Sequence, residues 1–185
     1  MGKHSMREIE VKARLIEPIE GFIKKLNENN IELGGELEQH DVVYGQPGAK
    51  DNVLGANWLR IRTENTHTVY FTLKKSVVGH LDSIEYEVIV NDAKELQNII
   101  IELGYELYSD LTKVRRKAKV GELEICVDSV SGLGDFVEVE KLCSDDVDNT
   151  EIVAELWSFL SNLGIDKKHE VFQGYDVLER QQREL

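Results

Sequence analysis

Charged side chains recur at every other position in segment after segment of this 185-residue chain. Glu8, Glu10, Lys12 and Arg14 alternate with Ile9, Val11, Ala13 and Leu15. Glu85 and Glu87 flank Tyr86, and Glu138 and Glu140 flank Val139, with no basic residue on the same face. Other segments are basic: Arg60 and Arg62 flank Ile61, Lys74 follows Thr72, and Lys113, Arg115 and Lys117 share a face. Glu122, Glu124, Cys126 and Asp128 form a further set. Side chains two apart on a strand lie about 7 Å from one another on one face. Two carboxylates at that distance repel by about 2 kcal/mol at an effective dielectric of 20. Water disperses such repulsion, whereas an enclosed site needs cations. A hard divalent cation, Mg²⁺ or Mn²⁺, takes carboxylate oxygens, and Arg and Lys take phosphate oxygens. The chemistry open to this set is metal-assisted work on a polyphosphate. A barrel for a fatty acid or a retinoid would want an apolar lumen instead.

Alternation of this kind reads as strands with one charged and one apolar face. Taken one at a time, each of these strands is better explained by charges facing water around an ordinary apolar core. The helices change the balance, because they are amphipathic and need an apolar surface to cover. A helix is read from Pro18 to Asn29, with Ile19, Phe22, Ile23 and Leu26 at helical spacing and Pro18 suited to the first turn. A second has Asp92 as its cap and ends at Gly104, and "TEIVAELWSFLSNLG" is a third, ending at Gly164. The tail "GYDVLERQQREL" reads as a short fourth. Helices docked on the apolar strand faces would turn the charged faces inward, around a wet lumen that eight strands are enough to enclose.

Strands are read in "GGELEQHDVVYG", "WLRIRTE", "TVYFTLKK", "SIEYEVIV", "YELYSDL", "TKVRRKAKV", "ELEICVD" and "DFVEVEKL", with a hairpin around Asn65-Thr66-His67. "GLGDF" reads as a tight turn between strands, since no helix comes after it as a phosphate loop requires. "EIEVKARL" and "EYEVIV" each lead into a helix and then about three strands. The chain is therefore expected to be α+β: two β-α-β-β-β halves pairing into one eight-stranded, largely antiparallel sheet or barrel. Residues 1–5 read as an added or disordered leader, and residues 6–185 as a single domain.

Composition narrows the function. The net charge of −13 argues against a nucleic-acid surface. No apolar run approaches the ~20 residues that cross a bilayer, and no signal-peptide pattern opens the chain. Cys126 and Cys143 lack CxxC spacing and read as reduced thiols of a cytoplasmic protein. The five histidines are scattered without the spacing of a zinc site.

"EIEVK" has the ExExK form of the CYTH superfamily, the triphosphate tunnel metalloenzymes. Support comes from the order of the later segments: "HDVVYG", "LRIR", "TLKK", "EYEV", "KVR", "ICVD", "GLGDFVEVE" and "GYDVL". The resemblance runs from Arg7 to Leu178, and "VDSVSGLGDFVEVE" looks most like the class IV adenylyl cyclase, or CyaB-like, branch. It implies an eight-stranded antiparallel tunnel barrel with helices outside. It implies Glu8, Glu10, Asp128, Glu138 and Glu140 as metal-binding acids for Mg²⁺ or Mn²⁺. Lys12, Arg60, Arg62, Lys74, Lys113 and Arg115 resemble the triphosphate-binding bases. Glu85 and Glu87 match acids of the lumen wall that hold a second metal or orient the bases. Together with Glu8, Glu10, Lys12, Arg60, Arg62 and Lys74 they make up the implied catalytic set. The family often has Ser-Tyr near its end where this chain has Gly174-Tyr175.

The function this implies is conversion of ATP to cyclic AMP and pyrophosphate, a phosphorus–oxygen lyase reaction. The alternative is hydrolysis of inorganic, thiamine or nucleoside triphosphate at the same site with water as nucleophile. A non-catalytic polyphosphate-binding barrel is a third class, disfavoured by the many carboxylates. The expected partner is ATP or another triphosphate, with no nucleic acid and no membrane. A homodimer accords with the cyclase branch.

Overall fold

The alternating segments form strands, and the strands close on themselves. The computed structural model describes residues 6–50, 54–77, 81–144 and 147–184, so the leader read at residues 1–5 lies outside the described residues. In chain order the elements are β1 (Met6–Arg14), α1 (Ile19–Glu28), β2 (Leu37–Gly45), β3 (Asn57–Glu64), β4 (Thr68–Ser76) and β5 (Asp82–Val90). They continue with α2 (Ala93–Glu102), β6 (Glu106–Val120), β7 (Leu123–Val130), β8 (Gly134–Ser144), α3 (Asn149–Asn162) and α4 (Tyr175–Arg183). The two segments read as separate strands, "YELYSDL" and "TKVRRKAKV", are one continuous strand, β6.

The eight strands form a closed barrel in the order β1-β5-β4-β3-β2-β6-β7-β8, and every pair is antiparallel. The two β-α-β-β-β halves are visible in this order. Their first strands, β1 and β5, lie side by side, as do their second strands, β2 and β6. The β1–β5 seam is short, pairing Arg7 with Ile84, Glu8 with Ser83 and Ile9 with Asp82. Farther along β1 the returning C-terminal segment takes over. Val171 donates its N–H to the Lys12 carbonyl at 2.9 Å, and Ala13 bridges to Glu170. An otherwise open strand edge is thereby covered.

Turn chemistry matches the hairpins. Asn65 and Thr66 adopt φ of 49° and 62° between β3 and β4, and the Asn65 side chain accepts the Glu38 N–H at 2.9 Å. In the β7–β8 turn Gly132 and Gly134 sit at φ of 76° and 100°, a region that residues with a Cβ rarely enter. "GLGDF" is thus a strand-to-strand turn.

The main apolar core lies outside the barrel. Ile9, Val11 and Ala13 of β1 pack with Ile125 and Val127 of β7, Val137 and Val139 of β8, Phe22 and Leu26 of α1, and Leu156, Trp157 and Leu160 of α3. Each fully buried large side chain here contributes roughly 1.5–3 kcal/mol. A second cluster places Ile100 of α2 on Tyr44, Leu59 and Ile61. Asp92 caps α2 by accepting the Glu95 N–H at 2.9 Å, and Asp148 caps α3 by accepting that of Thr150 at 2.9 Å. With the apolar faces committed outward, the charged faces can only point in. α4 is different: it packs on β6, and its first turn lines the lumen.

Candidate active site

The inward faces surround a cavity of about 560 Å³. Strand register decides which charges meet there. In the β1–β8 pair Glu10 stands opposite Glu140 and Lys12 opposite Glu138. Glu8 shares the face of Glu10, and carboxylate oxygens of Glu8, Glu10 and Glu140 lie within 4.8 Å of one another. Burial pushes the Glu8 carboxyl up to about 7, with Lys74 opposing the shift. Burial, then repulsion from Glu8 and Glu10, pushes Glu140 up to about 9. Glu10 is raised by burial and by Glu138. Its Oε1 is buried without a hydrogen bond, and the Lys12 ammonium lies 3.1 Å away. Three carboxyls that resist ionising on their own form an all-oxygen set that suits a hard divalent cation, Mg²⁺ or Mn²⁺.

Bases adjoin the acids. Lys74 Nζ lies 2.8 Å from Glu85 Oε1 and 3.9 Å from Glu8 Oε1. Burial works against its charge, yet Glu85 and Glu8 hold the ammonium above its ordinary range. Glu85 in turn is lowered to about 2, because Lys74 and Arg60 outweigh its burial. Arg60 Nη2 donates to Thr72 Oγ1 at 3.3 Å and lies 3.6 Å from Glu87 Oε2. The Arg60 Nε is buried and has no hydrogen-bond partner, a cationic donor left for an anion.

The remaining groups form a tighter network. Arg115 donates from Nε to Asp128 Oδ1 at 2.7 Å, from Nη2 to Asp128 Oδ2 at 2.5 Å, and from Nη2 to Glu138. Lys12, 2% exposed, lies 3.1 Å from Glu10 and 3.0 Å from Glu138. Arg62 grips Asp41 through two bonds of 2.6 Å, and the guanidinium holds the buried Asp41 carboxyl well below its usual range. Lys113 is lowered to about 8 by burial and by the Arg115 charge.

All the predicted site residues except Asp128 line the cavity, and Asp128 is fully buried behind it. Glu8, Glu10 and Glu140 converge. Glu138 and Asp128 instead engage Arg115, and Glu85 and Glu87 stand beside Lys74, Arg60 and Thr72. Two further residues line the cavity, Asp41 and Tyr175; they lie in "HDVVYG" and "GYDVL", segments that carry the resemblance but to whose residues the sequence assigns no role. Asp41 carried a signal, since it shares a strand face with Gln39 and Val43. Tyr175 carried only its place after Gly174, because its contacts depend on how the chain returns to the barrel.

The family model described as "CYTH domain" matches residues 6–175. A proposed adenylate cyclase of Methanocaldococcus jannaschii is 29% identical over 119 residues, covering 63% of this chain and 67% of that protein. A conserved hypothetical protein of Pyrococcus furiosus superposes with a TM-score of 0.78 at 26% identity, covering 92% of this chain and 99% of the other. A proposed adenylyl cyclase of Hippeastrum, described as having dominant triphosphatase activity, shares the fold at 16% identity. Its TM-score is 0.56, with 91% of each chain covered.

Proposed function

This chain belongs to the CYTH domain family, and on that premise we propose that it is a divalent-metal-dependent enzyme converting ATP to cyclic AMP and pyrophosphate. The observation that carries the reading is the convergence of Glu8, Glu10 and Glu140 in the same cavity as Lys12, Lys74 and Arg60. The name of the M. jannaschii relative supports ATP cyclisation.

Glu8, Glu10 and Glu140 would hold Mg²⁺ or Mn²⁺, which would supply charge neutralisation and electrophilic activation at the phosphoryl groups. Lys12, Lys74, Lys113 and Arg60 take the β- and γ-phosphate oxygens. Arg62 and Arg115 keep their unused N–H groups for the same oxygens while carboxylates fix their planes. Gripped in this way, the triphosphate lies with its α-phosphorus open to the 3′-hydroxyl. The O3′–Pα bond forms as the Pα–O bond to pyrophosphate breaks, and a lumenal carboxylate accepts the hydroxyl proton. Positioning and preorganised charge do most of the work.

A second reading, hydrolysis of a triphosphate, keeps the same metal-binding and phosphate-binding groups but has water attack the terminal phosphorus, so that the Pγ–O bond breaks and phosphate leaves. It is favoured by the density of lumenal charge, all of which metal and phosphates alone could satisfy. Incubation with ATP and Mn²⁺ followed by chromatography separates the two. Cyclic AMP with pyrophosphate supports cyclisation; ADP with phosphate overturns it in favour of hydrolysis.

A further inference from the structure

Tyr175, the first residue of α4, enters the barrel where β1 finishes and β8 begins. The residue is 7% exposed. Its hydroxyl donates to Asp128 Oδ2 at 2.9 Å. The Lys12 ammonium lies 4.2 Å from the ring centroid and the Lys113 ammonium 4.9 Å from it. Phe136, fully buried, meets the same ring edge-on at 5.0 Å and so sets its plane. Lys12 also donates to the Gln173 carbonyl at 3.3 Å, which ties the start of α4 to the same ammonium.

We propose that Tyr175 is a positioning residue for anion binding: its ring holds Lys12 and Lys113 in place while its hydroxyl fixes Asp128, and through Asp128 the Arg115 guanidinium. The inference rests on the triphosphate reading above. Lys12 and Lys113 both lie near the Tyr175 ring, and the carboxylates beside them, Glu10, Glu138 and Asp128, also draw them away from an incoming anion. A further carboxylate would neutralise them and compete with the incoming phosphates. An aromatic face attracts both cations electrostatically yet brings no charge of its own into the contest. Without the ring, Lys12 keeps only the carboxylates it already touches, Glu10 and Glu138, and Lys113 only Asp128 at 3.9 Å, so nothing neutral holds either ammonium toward the lumen. Asp128 already accepts both Arg115 donors, so the Tyr175 hydroxyl completes its shell and keeps that pair from swinging into the lumen.

The test is calorimetric binding of inorganic triphosphate in EDTA to wild type, Tyr175→Phe, the 4-fluoro- and 3,5-difluorophenylalanine variants at position 175, and Tyr175→Leu. Affinity should fall slightly in Tyr175→Phe, step down with each fluorine, and drop roughly tenfold or more in Tyr175→Leu. A purely structural residue would lower thermal stability without tracking the electron density of the ring. Affinity that stays flat across the aromatic series overturns the proposal, and that series keeps the shape of the side chain if Tyr175→Leu does not fold. A second readout needs no ligand: the Cε protons of Lys12 and Lys113 should be shifted upfield by the ring in wild type. Absence of that shift refutes the positioning role whatever the protein turns over. The shift with no triphosphate binding refutes both the anion-binding role and the function on which it rests, whereas binding that tracks the series without turnover sinks the enzyme reading alone.

Discussion

Glu10 and Glu140 stand directly opposite each other in the β1–β8 pair, and Glu8 brings a third carboxylate within 4.8 Å. Like charges facing each other across strands destabilise a sheet. The barrel nevertheless carries this arrangement in a half-buried place, with its apolar core committed to the outside. A divalent cation bound there would turn the repulsion into attraction.

Replacing Glu140→Gln removes one of the three acids without changing shape. Mn²⁺ at a hundredfold excess over its dissociation constant should stabilise wild type by about 2.7 kcal/mol. In the variant most of that gain should vanish, while the metal-free melting temperature does not fall. Differential scanning fluorimetry with and without Mn²⁺ checks this; an undiminished metal-induced shift contradicts the assignment.

The Asp41–Arg62 pair is buried and doubly hydrogen bonded. Arg62→Met leaves a buried, unpaired carboxylate and should cost about 3–5 kcal/mol in urea unfolding, much of it recovered in Arg62→Met/Asp41→Asn. The folded pKa of Asp41 is depressed. Its contribution is therefore fully present above the unfolded value near pH 4 and is lost as pH falls toward the folded one. The acid limb of wild-type stability should flatten in Arg62→Met.

Burial and the Arg115 charge push the Lys113 ammonium down to about 8, whereas neighbouring carboxylates hold Lys12 and Lys74 above the ordinary lysine range. As pH rises through 8 the free enzyme loses one phosphate-binding charge, so kcat/KM should decline on that side. Lys113→Met should lower kcat/KM at pH 7 by roughly 10- to 100-fold, the worth of one charge-assisted hydrogen bond. It should also remove the decline above pH 8. A pH–rate profile of both proteins decides, and an unchanged alkaline limb in the variant speaks against Lys113.

Phe22 of α1 is fully buried in the outer core. Phe22→Ala should cost about 3–5 kcal/mol of stability. Triphosphate affinity measured on the folded fraction should stay at the wild-type value, because the core and the site lie on opposite faces of the same strands. A matching loss of affinity would show that the two faces are not independent.

Much of this was legible in the sequence because period-two alternation reports strand faces directly. Ile9, Val11 and Ala13 against Glu8, Glu10 and Lys12 state which side is apolar, and the amphipathic helices state where that side must go. Alternation does not report height. Glu138 and Glu140 look equivalent along β8, yet pairing with β1 sets one beside Lys12 and the other among the acids. That register joins residues about 130 positions apart in the chain and is settled by closure of the whole barrel. Tyr175 was illegible for the same reason, since its partners Lys12, Lys113 and Asp128 come from three strands. The continuity of β6 was hidden because "SDLT" is polar and reads as a break, while both of its neighbours, β2 and β7, extend across it or up to it.

The lumenal acids and bases are assigned above all to metal-dependent turnover of a triphosphate. The most direct test is the release of pyrophosphate and phosphate from ATP and from inorganic triphosphate by the purified protein, in Mn²⁺ and in EDTA. Turnover of at least one of the two substrates in Mn²⁺, and its loss in EDTA, is the predicted result. Triphosphate bound tightly with no product in Mn²⁺, or product formed equally well in EDTA, would contradict it.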